Sequence, residues 1–235
     1  MSLENITYLG HSGAFVKAGD KTIAIDPWMT GNPTYPSELS NPEKIDLIIL
    51  THGHADHAGD AVRLSKEYGS KIVCIYDLGQ ILISEGTPAD NVIGMNKGGK
   101  VKIDELTIAL TNAFHSNSYT KADGQTVYAG EACGVILSDG KNTIFHAGDT
   151  CLFSDMSLIA KKFKPQIALL PIGDYFTMDA EDAAEAAFLL GVSKAIPIHY
   201  KTFPLLTQSA NEFTSKLDRF GIECVELEPG QSHNL

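Results

Sequence analysis

The sequence lacks several features that would assign it to a specialised class of protein. It has no apolar run of about 18 residues, which a membrane-spanning helix needs, and no low-complexity segment or linker. No two of its four cysteines form a C-x-x-C pair, which excludes a zinc knuckle and a thioredoxin-type redox motif. We therefore expect a single domain over residues 1–235, long enough to bury its own core.

Basic residues are also scarce. The chain has 18 Lys and Arg against 29 Asp and Glu, a formal net charge of −11, and no basic cluster. Because a duplex-binding surface needs such a cluster to displace counterions, extended nucleic acid is disfavoured and a small-molecule substrate is favoured. The start, MSLENITYLGHS, lacks the basic and apolar regions of a signal peptide, so we expect a cytoplasmic protein with reduced thiols and no membrane partner. Homo-oligomerisation is left open.

Hydrophobic patterning divides the chain into two similar halves, each passing from short β-strands to alternating strands and helices. Strands are predicted at 6–10, 14–18, 22–26, 46–51, 71–76, 101–103, 106–114, 133–139, 142–149, 166–173, 194–200 and 223–228. Helices are predicted at 58–69, 77–86, 154–163, 179–191 and 209–220. This order favours an α/β fold in which two sheets pack face to face with helices outside.

Histidine and aspartate, which can bind metal ions, are concentrated in the segment THGHADHAGD, residues 51–60. In an extended segment His52 and His54 point the same way and are placed to hold one metal ion. Asp56 and His57 lie at the turn into a helix, where they are placed to face a second ion. A core histidine or a helix N-cap would explain any one of these residues. Such roles do not explain four zinc-type ligands within six residues, so the segment predicts a metal site.

The segment resembles the H-x-H-x-D-H signature of the metallo-β-lactamase superfamily, and the resemblance extends along the whole chain. Seven positions match the metal ligands of that family: His52, His54, Asp56, His57, His115, Asp149 and His199. The resemblance implies a first metal on His52, His54 and His115. It implies a second metal on Asp56, His57 and His199, with Asp149 bridging the two. Asp26, in AIDPW, matches an early Asp that would orient ligands from behind.

The same resemblance implies a four-layer αββα sandwich of two mixed sheets, with the site at the edge between them. Three further segments are similar to a bacterial and archaeal branch of metal-dependent hydrolases near ascorbate-6-phosphate lactonase. They are TYLGHSGAFVK near the start, GDYFTM at 173–178 and PIHYKTFP at 197–204. The implied cofactor is a pair of divalent ions, with zinc favoured and Mn, Fe, Co or Ni as alternatives.

A metal-bridging hydroxide would then cleave a small lactone, ester, amide or phosphoester. Three other functions were weighed. In a diiron redox enzyme of the same fold a Glu normally replaces the second histidine of the motif, where this chain has His54. A nuclease acting on RNA or phosphodiesters fits poorly with the acidic balance. A non-catalytic scaffold gives no reason to keep seven ligand positions intact.

Weaker candidates lie outside the ligand set. Besides Asp56, His11 in the turn GHSG and Tyr175 are predicted catalytic residues, Tyr175 as a proton donor or oxyanion partner. A surface-turn histidine and a loop tyrosine are equally good interpretations. Lys201 is placed either to meet a substrate anion or to be simply solvated. His146 is predicted to be structural and His233 to have no role, while residues 116–131 form either a substrate loop or a mobile segment.

Overall fold

Two seven-stranded sheets and six α-helices make up the computed structural model, which describes residues 1–235. In spatial order the first sheet contains β16 (Ser232–Asn234), β1 (Leu3–Tyr8), β2 (Ala14–Ala18), β3 (Lys21–Ile25), β4 (Leu47–Ile49), β5 (Lys71–Ile75) and β6 (Val92–Met95). The second contains β15 (Glu223–Cys224), β14 (Lys194–Ile198), β13 (Ile167–Pro171), β12 (Thr143–His146), β11 (Cys133–Ser138), β8 (Leu106–Asn112) and β7 (Lys100–Ile103). A separate hairpin contains β9 (Ser118–Thr120) and β10 (Thr126–Tyr128). The helices are α1 (Ala55–Ala58), α2 (Ala61–Tyr68), α3 (Tyr76–Ser84), α4 (Met156–Phe163), α5 (Ala180–Leu190) and α6 (Asn211–Asp218).

The two sheets have the same strand pattern. In the first, β16, β1, β2 and β3 pair antiparallel, and the pairing changes to parallel from β3 through β4 and β5 to β6. In the second, β7, β8, β11 and β12 pair antiparallel, and the pairing changes to parallel from β12 through β13 and β14 to β15. The two similar halves predicted from the sequence are therefore confirmed.

Side chains that alternate along the strands create three apolar layers. In β4, Leu47 and Ile49 point into a 24-residue core shared by both sheets, whereas Ile48 points into a core of 16 residues beneath the helices of the first half. In β11, Val135 enters the shared core and Ile136 enters a core of 23 residues beneath the helices of the second half. This period of two is what a strand covered on both faces requires. The order is helix, sheet, sheet, helix, which confirms the αββα sandwich.

The helix predicted at 58–69 is wrong at its start, because the chain forms two helices there. The first, α1, begins at Ala55 and ends at Ala58, and α2 begins only at Ala61. Between them the buried Asp60 accepts hydrogen bonds of 2.7 Å from the backbone N–H groups of Met29 and Thr30. The break thus ties the long loop after β3 to the segment that carries the metal-binding motif.

Pairing with distant strands overrides the sequence pattern at the carboxyl terminus. The strand predicted at 223–228 is limited to Glu223–Cys224, while Ser232–Asn234, which no pattern indicated, pairs with β1. His233, predicted to have no role, lies opposite Ile6 in that ladder, and its Nε2 is 3.3 Å from Lys194 Nζ. Strand formation here depends on a partner more than 220 residues away, which local propensity does not record.

None of the six helices combines the length and the apolar character needed to cross a bilayer.

Candidate metal centre

The predicted ligands converge at one edge of the sandwich, because each follows the carboxyl end of a strand. Asp26 directly follows β3, and the segment from His52 to His57 follows β4. His115, Asp149 and His199 follow β8, β12 and β14 of the other sheet. Ligand sites of α/β proteins lie where the carboxyl ends of parallel strands meet.

The first group consists of His52, His54 and His115, whose ring nitrogens lie within 4.8 Å of one another. His52 Nε2 and His54 Nδ1 are 3.0 Å apart. His52 is fully buried, whereas His54 and His115 are half-buried and line a cavity open to solvent. Three imidazoles directed at one point are a ligand set that suits zinc and its neighbours.

The second group consists of Asp56, His57 and His199, which lie with His11 in a cluster of the same size. His57 and His199 are buried, and Asp56 is half-buried and lines the cavity together with His199. The sequence proposed three members of this group. The structure adds His11 as a neighbour.

Asp149 lies between the two groups. Its Oδ2 is 4.0 Å from His52 Nε2 and 3.5 Å from His115 Nε2 in the first group. The same oxygen is 3.1 Å from His199 Nε2, and Oδ1 is 3.3 Å from His57 Nε2, in the second group. One carboxylate therefore reaches histidines of both groups, as a bridging ligand must.

Three buried atoms of the proposed ligands have no hydrogen-bond partner, namely His57 Nε2, Asp149 Oδ1 and His199 Nδ1. Leaving a buried polar atom unpaired costs about 1–3 kcal/mol, so such atoms need an explanation. An imidazole nitrogen and a carboxylate oxygen that face each other are the donor types that bind divalent metals. The residues present therefore fit a metal ion.

The electrostatics of the centre also favour a positive charge there. Burial opposes protonation of His57, but the carboxylates of Asp149, Asp26 and Asp56 outweigh it and raise the pKa of His57 well above its usual value. Burial likewise opposes ionisation of Asp149, but the imidazoles of His199 and His57 hold the pKa of Asp149 well below its usual range. The carboxylates that favour a proton on His57 would equally favour a bound metal cation in its place.

Asp26 fixes the orientation of two histidines. Its Oδ2 accepts a hydrogen bond from His57 Nδ1 at 2.8 Å and another from Thr51 Oγ1 at 2.6 Å. Thr51 Oγ1 is in turn 3.0 Å from His52 Nδ1. Because the threonine hydroxyl donates to Asp26, His52 Nδ1 must donate to that hydroxyl. Both rings are thus oriented with Nε2 directed into the centre, which is the arrangement expected of outer partners in metal sites.

Backbone strain is concentrated at this edge. Asp26, His11 and His199 have φ values of 47°, 56° and 57°, in the left-handed region that L-residues rarely adopt. The His199 N–H donates to the His11 carbonyl oxygen at 2.6 Å, which couples two of the strained positions. Such strain persists only where the surroundings enforce it, and it is found preferentially at functional sites.

His11 is not a surface-turn histidine, since its exposed fraction is only 1%. Its Nε2 lies 3.0 Å from Asp56 Oδ2, and its Nδ1 lies 2.9 Å from Thr202 Oγ1. Burial lowers the pKa of His11 to about 4, although the hydrogen bond to Asp56 opposes this, so the ring is neutral at pH 7. The carboxylate only accepts, so Nε2 carries the proton. His11 does not line the cavity, and its hydrogen bond positions Asp56; the catalytic role predicted for it stays a prediction.

The remaining candidates also lie away from the cavity. Tyr175 is 67% exposed and does not line it; its ring packs edge-on against Phe176, which does. Lys201 Nζ bonds Glu226 at 3.2 Å and Glu228 at 3.3 Å, so it is neither a cavity residue nor simply solvated. The contacts of His146 are structural, as predicted. Its Nε2 donates to the Ser12 carbonyl oxygen at 2.8 Å and thereby holds the loop that contains His11.

Sequence reasoning missed Asn117, which supports the motif from the uncertain segment 116–131. That segment forms the β9–β10 hairpin, and the Asn117 Oδ1 at its base accepts the Gly53 N–H at 2.8 Å. A Cβ at Gly53 would lie 2.9 Å from the Ser118 carbonyl oxygen, so only glycine fits this close approach. The glycine between two histidines was the available signal, but the partner is 64 residues away.

The family model described as a beta-lactamase superfamily domain matches residues 21–200. The chain belongs to the metallo-β-lactamase superfamily. Within the superfamily, it is 44% identical over 231 residues to a UPF0173 metal-dependent hydrolase of Koribacter versatilis, covering 97% of this chain and 96% of that one. It is 43% identical over 230 residues to a UPF0173 metal-dependent hydrolase of Geobacillus thermodenitrificans, covering 98% and 99%.

A solved structure of the superfamily has the same fold over its full length. Igni18, described as a metallo hydrolase from the archaeon Ignicoccus hospitalis, aligns with a TM-score of 0.87 at 36% identity and covers 100% of this chain and 99% of its own. The predicted superfamily is thus confirmed, and the bacterial and archaeal relatives are named as metal-dependent hydrolases. The predicted nearness to ascorbate-6-phosphate lactonase stays a prediction.

Proposed function

We propose that the protein binds two divalent metal ions and uses them to hydrolyse a small ester, lactone, amide or phosphoester. The coarser statement follows from the family: this is a metal-dependent hydrolase of the metallo-β-lactamase type. The observation that carries the proposal is Asp149, whose carboxylate lies within 4.0 Å of histidine nitrogens from both groups. A single metal would not need a second cluster of donors on the far side of that carboxylate.

The proposed ligands fall into two sets that share Asp149. His52, His54 and His115 hold one ion, and Asp56, His57 and His199 hold the other. Imidazole and carboxylate donors favour zinc, and Mn, Fe, Co and Ni are the alternatives that the same donors accept. When bound, such ions supply hydroxide at neutral pH and polarise the oxygen of the scissile group.

The chain's own residues provide the geometry for this chemistry. Asp26 orients the rings of His57 and, through Thr51, of His52 so that their Nε2 atoms are directed inward. His11 holds one oxygen of Asp56, which leaves the other free for a ligand bond. Rigid support of this kind fixes ligand positions before substrate arrives, so little reorganisation is needed during the reaction.

The substrate is proposed to be a small molecule. The cavity at the centre has a volume of about 570 Å³, within the range of small-molecule sites. A nuclease is disfavoured because no Lys or Arg lines this cavity. A diiron redox enzyme is disfavoured by His54, whose Nδ1 faces His52 at the position where that class has Glu.

Metal analysis tests the proposal directly. Protein purified without chelator is expected to contain about two metal ions per chain, as two-metal hydrolytic sites require. The metal-free protein should regain both ions on titration with zinc, and activity on a panel of lactones, esters and phosphodiesters should return with them. A stoichiometry of one, or a failure to take up metal at all, would contradict the two-metal proposal.

A further inference from the structure

Beyond the candidate ligands, the wall of the cavity is apolar. It consists of Ser116 and four apolar residues: Phe176, Phe203, Pro204 and Leu205. Phe176 is 50% exposed and Leu205 is 63% exposed. Large apolar side chains left open to solvent around a cavity commonly mark a surface that binds a ligand.

The wall is held in place by aromatic packing. The Phe203 ring lies 5.5 Å from the His11 ring and 5.9 Å from Trp28, centre to centre. His11 in turn is bonded to Asp56, so the wall and the second ligand group share one packed cluster. A substrate group resting against Phe203 therefore lies at a fixed distance from the proposed metals.

No Lys or Arg side chain lines this cavity. Lys201 is the Lys or Arg nearest in sequence to Phe203, and its Nζ forms ion pairs with Glu226 and Glu228. An anionic group placed against the wall would lose water without gaining a counter-charge, and that loss is costly. Only the metals themselves could pair with an anion, and they are reserved for the scissile group.

We propose that the part of the substrate away from the scissile bond is apolar and uncharged, and that Phe176, Phe203 and Leu205 select it. This inference rests on the proposed hydrolytic function and narrows it to alkyl- or aryl-substituted lactones and esters. It disfavours phosphorylated sugars and nucleotides, whose second anion would face the apolar wall.

A matched pair of γ-lactones tests the inference. The two carry side chains of equal length that end either in tert-butyl or in sulfonate, groups of similar size, and sulfonate is a weak metal ligand. The zinc-loaded enzyme is expected to cleave the tert-butyl lactone with a kcat/KM about tenfold or more above that of the sulfonate, a ratio typical of apolar pockets. Equal values for the two lactones would overturn the inference while leaving hydrolysis itself intact.

Two variants test whether the preference for the tert-butyl lactone comes from the apolar wall or from the net charge of the protein. Leu205→Lys adds a cation to the wall and should reduce the preference by up to about fivefold, since an ion pair near a protein surface contributes up to about 1 kcal/mol. Leu158→Lys is the matched control, because Leu158 is 58% exposed, lies on α4 and does not line the cavity. Both variants change the net charge equally. A similar shift in both would mean that long-range charge, and not the wall, sets the preference.

A binding measurement makes the test independent of turnover. The corresponding cyclic ethers, which have no scissile bond, are titrated into zinc-loaded protein by calorimetry. The tert-butyl ether is expected to bind about tenfold more tightly than the sulfonate ether, and Leu205→Lys should narrow that gap. Equal binding, or no binding of the tert-butyl ether, would overturn the inference. If neither lactone is cleaved but the ethers still differ, lactone hydrolysis is ruled out as the reaction and the apolar selectivity stands.

Discussion

The loops after β4 and β13 occupy equivalent positions in the two sheets, but the first carries proposed metal ligands and the second carries aromatic side chains. Each follows the first strand that joins its sheet in parallel pairing. The loop after β4 contains His52, His54, Asp56 and His57, whereas the loop after β13 contains Tyr175 and Phe176. A repeated framework has thus placed four proposed ligands after β4 and one residue of the apolar wall, Phe176, after β13.

The strands that precede these two, β3 and β12, are each followed by an aspartate, and the two aspartates have different positions in the site. Asp26 directly follows β3, and Asp149 follows β12 by three residues. Asp149 lies at the centre of the site, while Asp26 lies behind it and orients His57. Equivalent carboxylates therefore serve as a proposed bridging ligand in one half and as a supporting partner in the other. Changes in the β4 loop should alter metal binding, and changes in the β13 loop should alter substrate binding alone.

The largest effect is expected from His54→Ala in the β4 loop. Loss of one of three imidazoles in the first group should lower the metal content from about two ions to about one and abolish hydrolysis, because two-metal chemistry needs both. Elemental analysis and activity on a lactone panel measure this, with circular dichroism to confirm folding. His54 is half-buried, so the fold should persist. Wild-type turnover in this variant would contradict the proposal that His54 is a metal ligand.

A smaller effect is expected from Asp26→Asn, which weakens the hydrogen bonds to His57 and Thr51 without removing a ligand. Loss of such a supporting partner typically costs about 10–100-fold in metal affinity. Competition with a chromogenic chelator measures this. Asp174→Asn in the β13 loop is the matched control: Asp174 is exposed and also has a positive φ, 63° against 47° for Asp26. Equal metal affinities in the two variants would refute the orienting role.

Phe176→Ala should weaken catalysis without altering the metals. Removing a half-exposed aromatic ring from the wall is expected to cost about 1 kcal/mol, or about fivefold in kcat/KM for an apolar substrate. Metal content should stay at the wild-type value. Tyr175→Ala, which removes an adjacent aromatic ring outside the cavity, should change kcat/KM less than Phe176→Ala. A large loss of kcat in Tyr175→Ala would instead restore the catalytic role predicted for its hydroxyl.

The smallest effect on activity is expected from Asp60→Asn, whose consequence is a pH-dependent loss of stability. Burial would raise the pKa of Asp60, but hydrogen bonds from Thr30, Met29 and Arg63 outweigh it and lower that pKa. A lowered folded-state pKa stabilises the protein above the unfolded value of about 3.9 and loses that contribution as the pH falls below it.

Urea unfolding of the metal-free proteins at pH 7 and near pH 3 measures this contribution. The free energy of unfolding of the wild type should exceed that of Asp60→Asn by about 1.5–3 kcal/mol at neutral pH, the range for hydrogen bonds to a charged group. The difference should shrink at the acidic pH. A difference that does not change with pH would mean that Asp60 acts by packing alone.

Much of the fold was predictable because apolar side chains alternate with a period of two in the central strands. The β2 and β11 segments, AFVKA and CGVILS, were recognised nearly to the residue, and the four-residue cluster at 52–57 indicated metal chemistry by density alone. Failures occurred where a distant partner decides local structure. The strand at Ser232–Asn234 exists only because β1 is available, and the hairpin at 118–128 is fixed at its base by a hydrogen bond from the Gly53 N–H to Asn117 Oδ1.

The sequence by itself determined the residue types that can bind metal and, through the family resemblance, the seven positions proposed to do so. It also favoured an α/β fold of two sheets with helices outside, because strand and helix periodicities are local properties, while the four-layer sandwich was implied by the family resemblance. Only the tertiary structure decided that His11 acts on Asp56, that Phe176 and not Tyr175 faces the cavity, and that Lys201 is held by two glutamates. These facts depend on side-chain direction and on contacts between residues far apart in the chain, which sequence spacing does not encode.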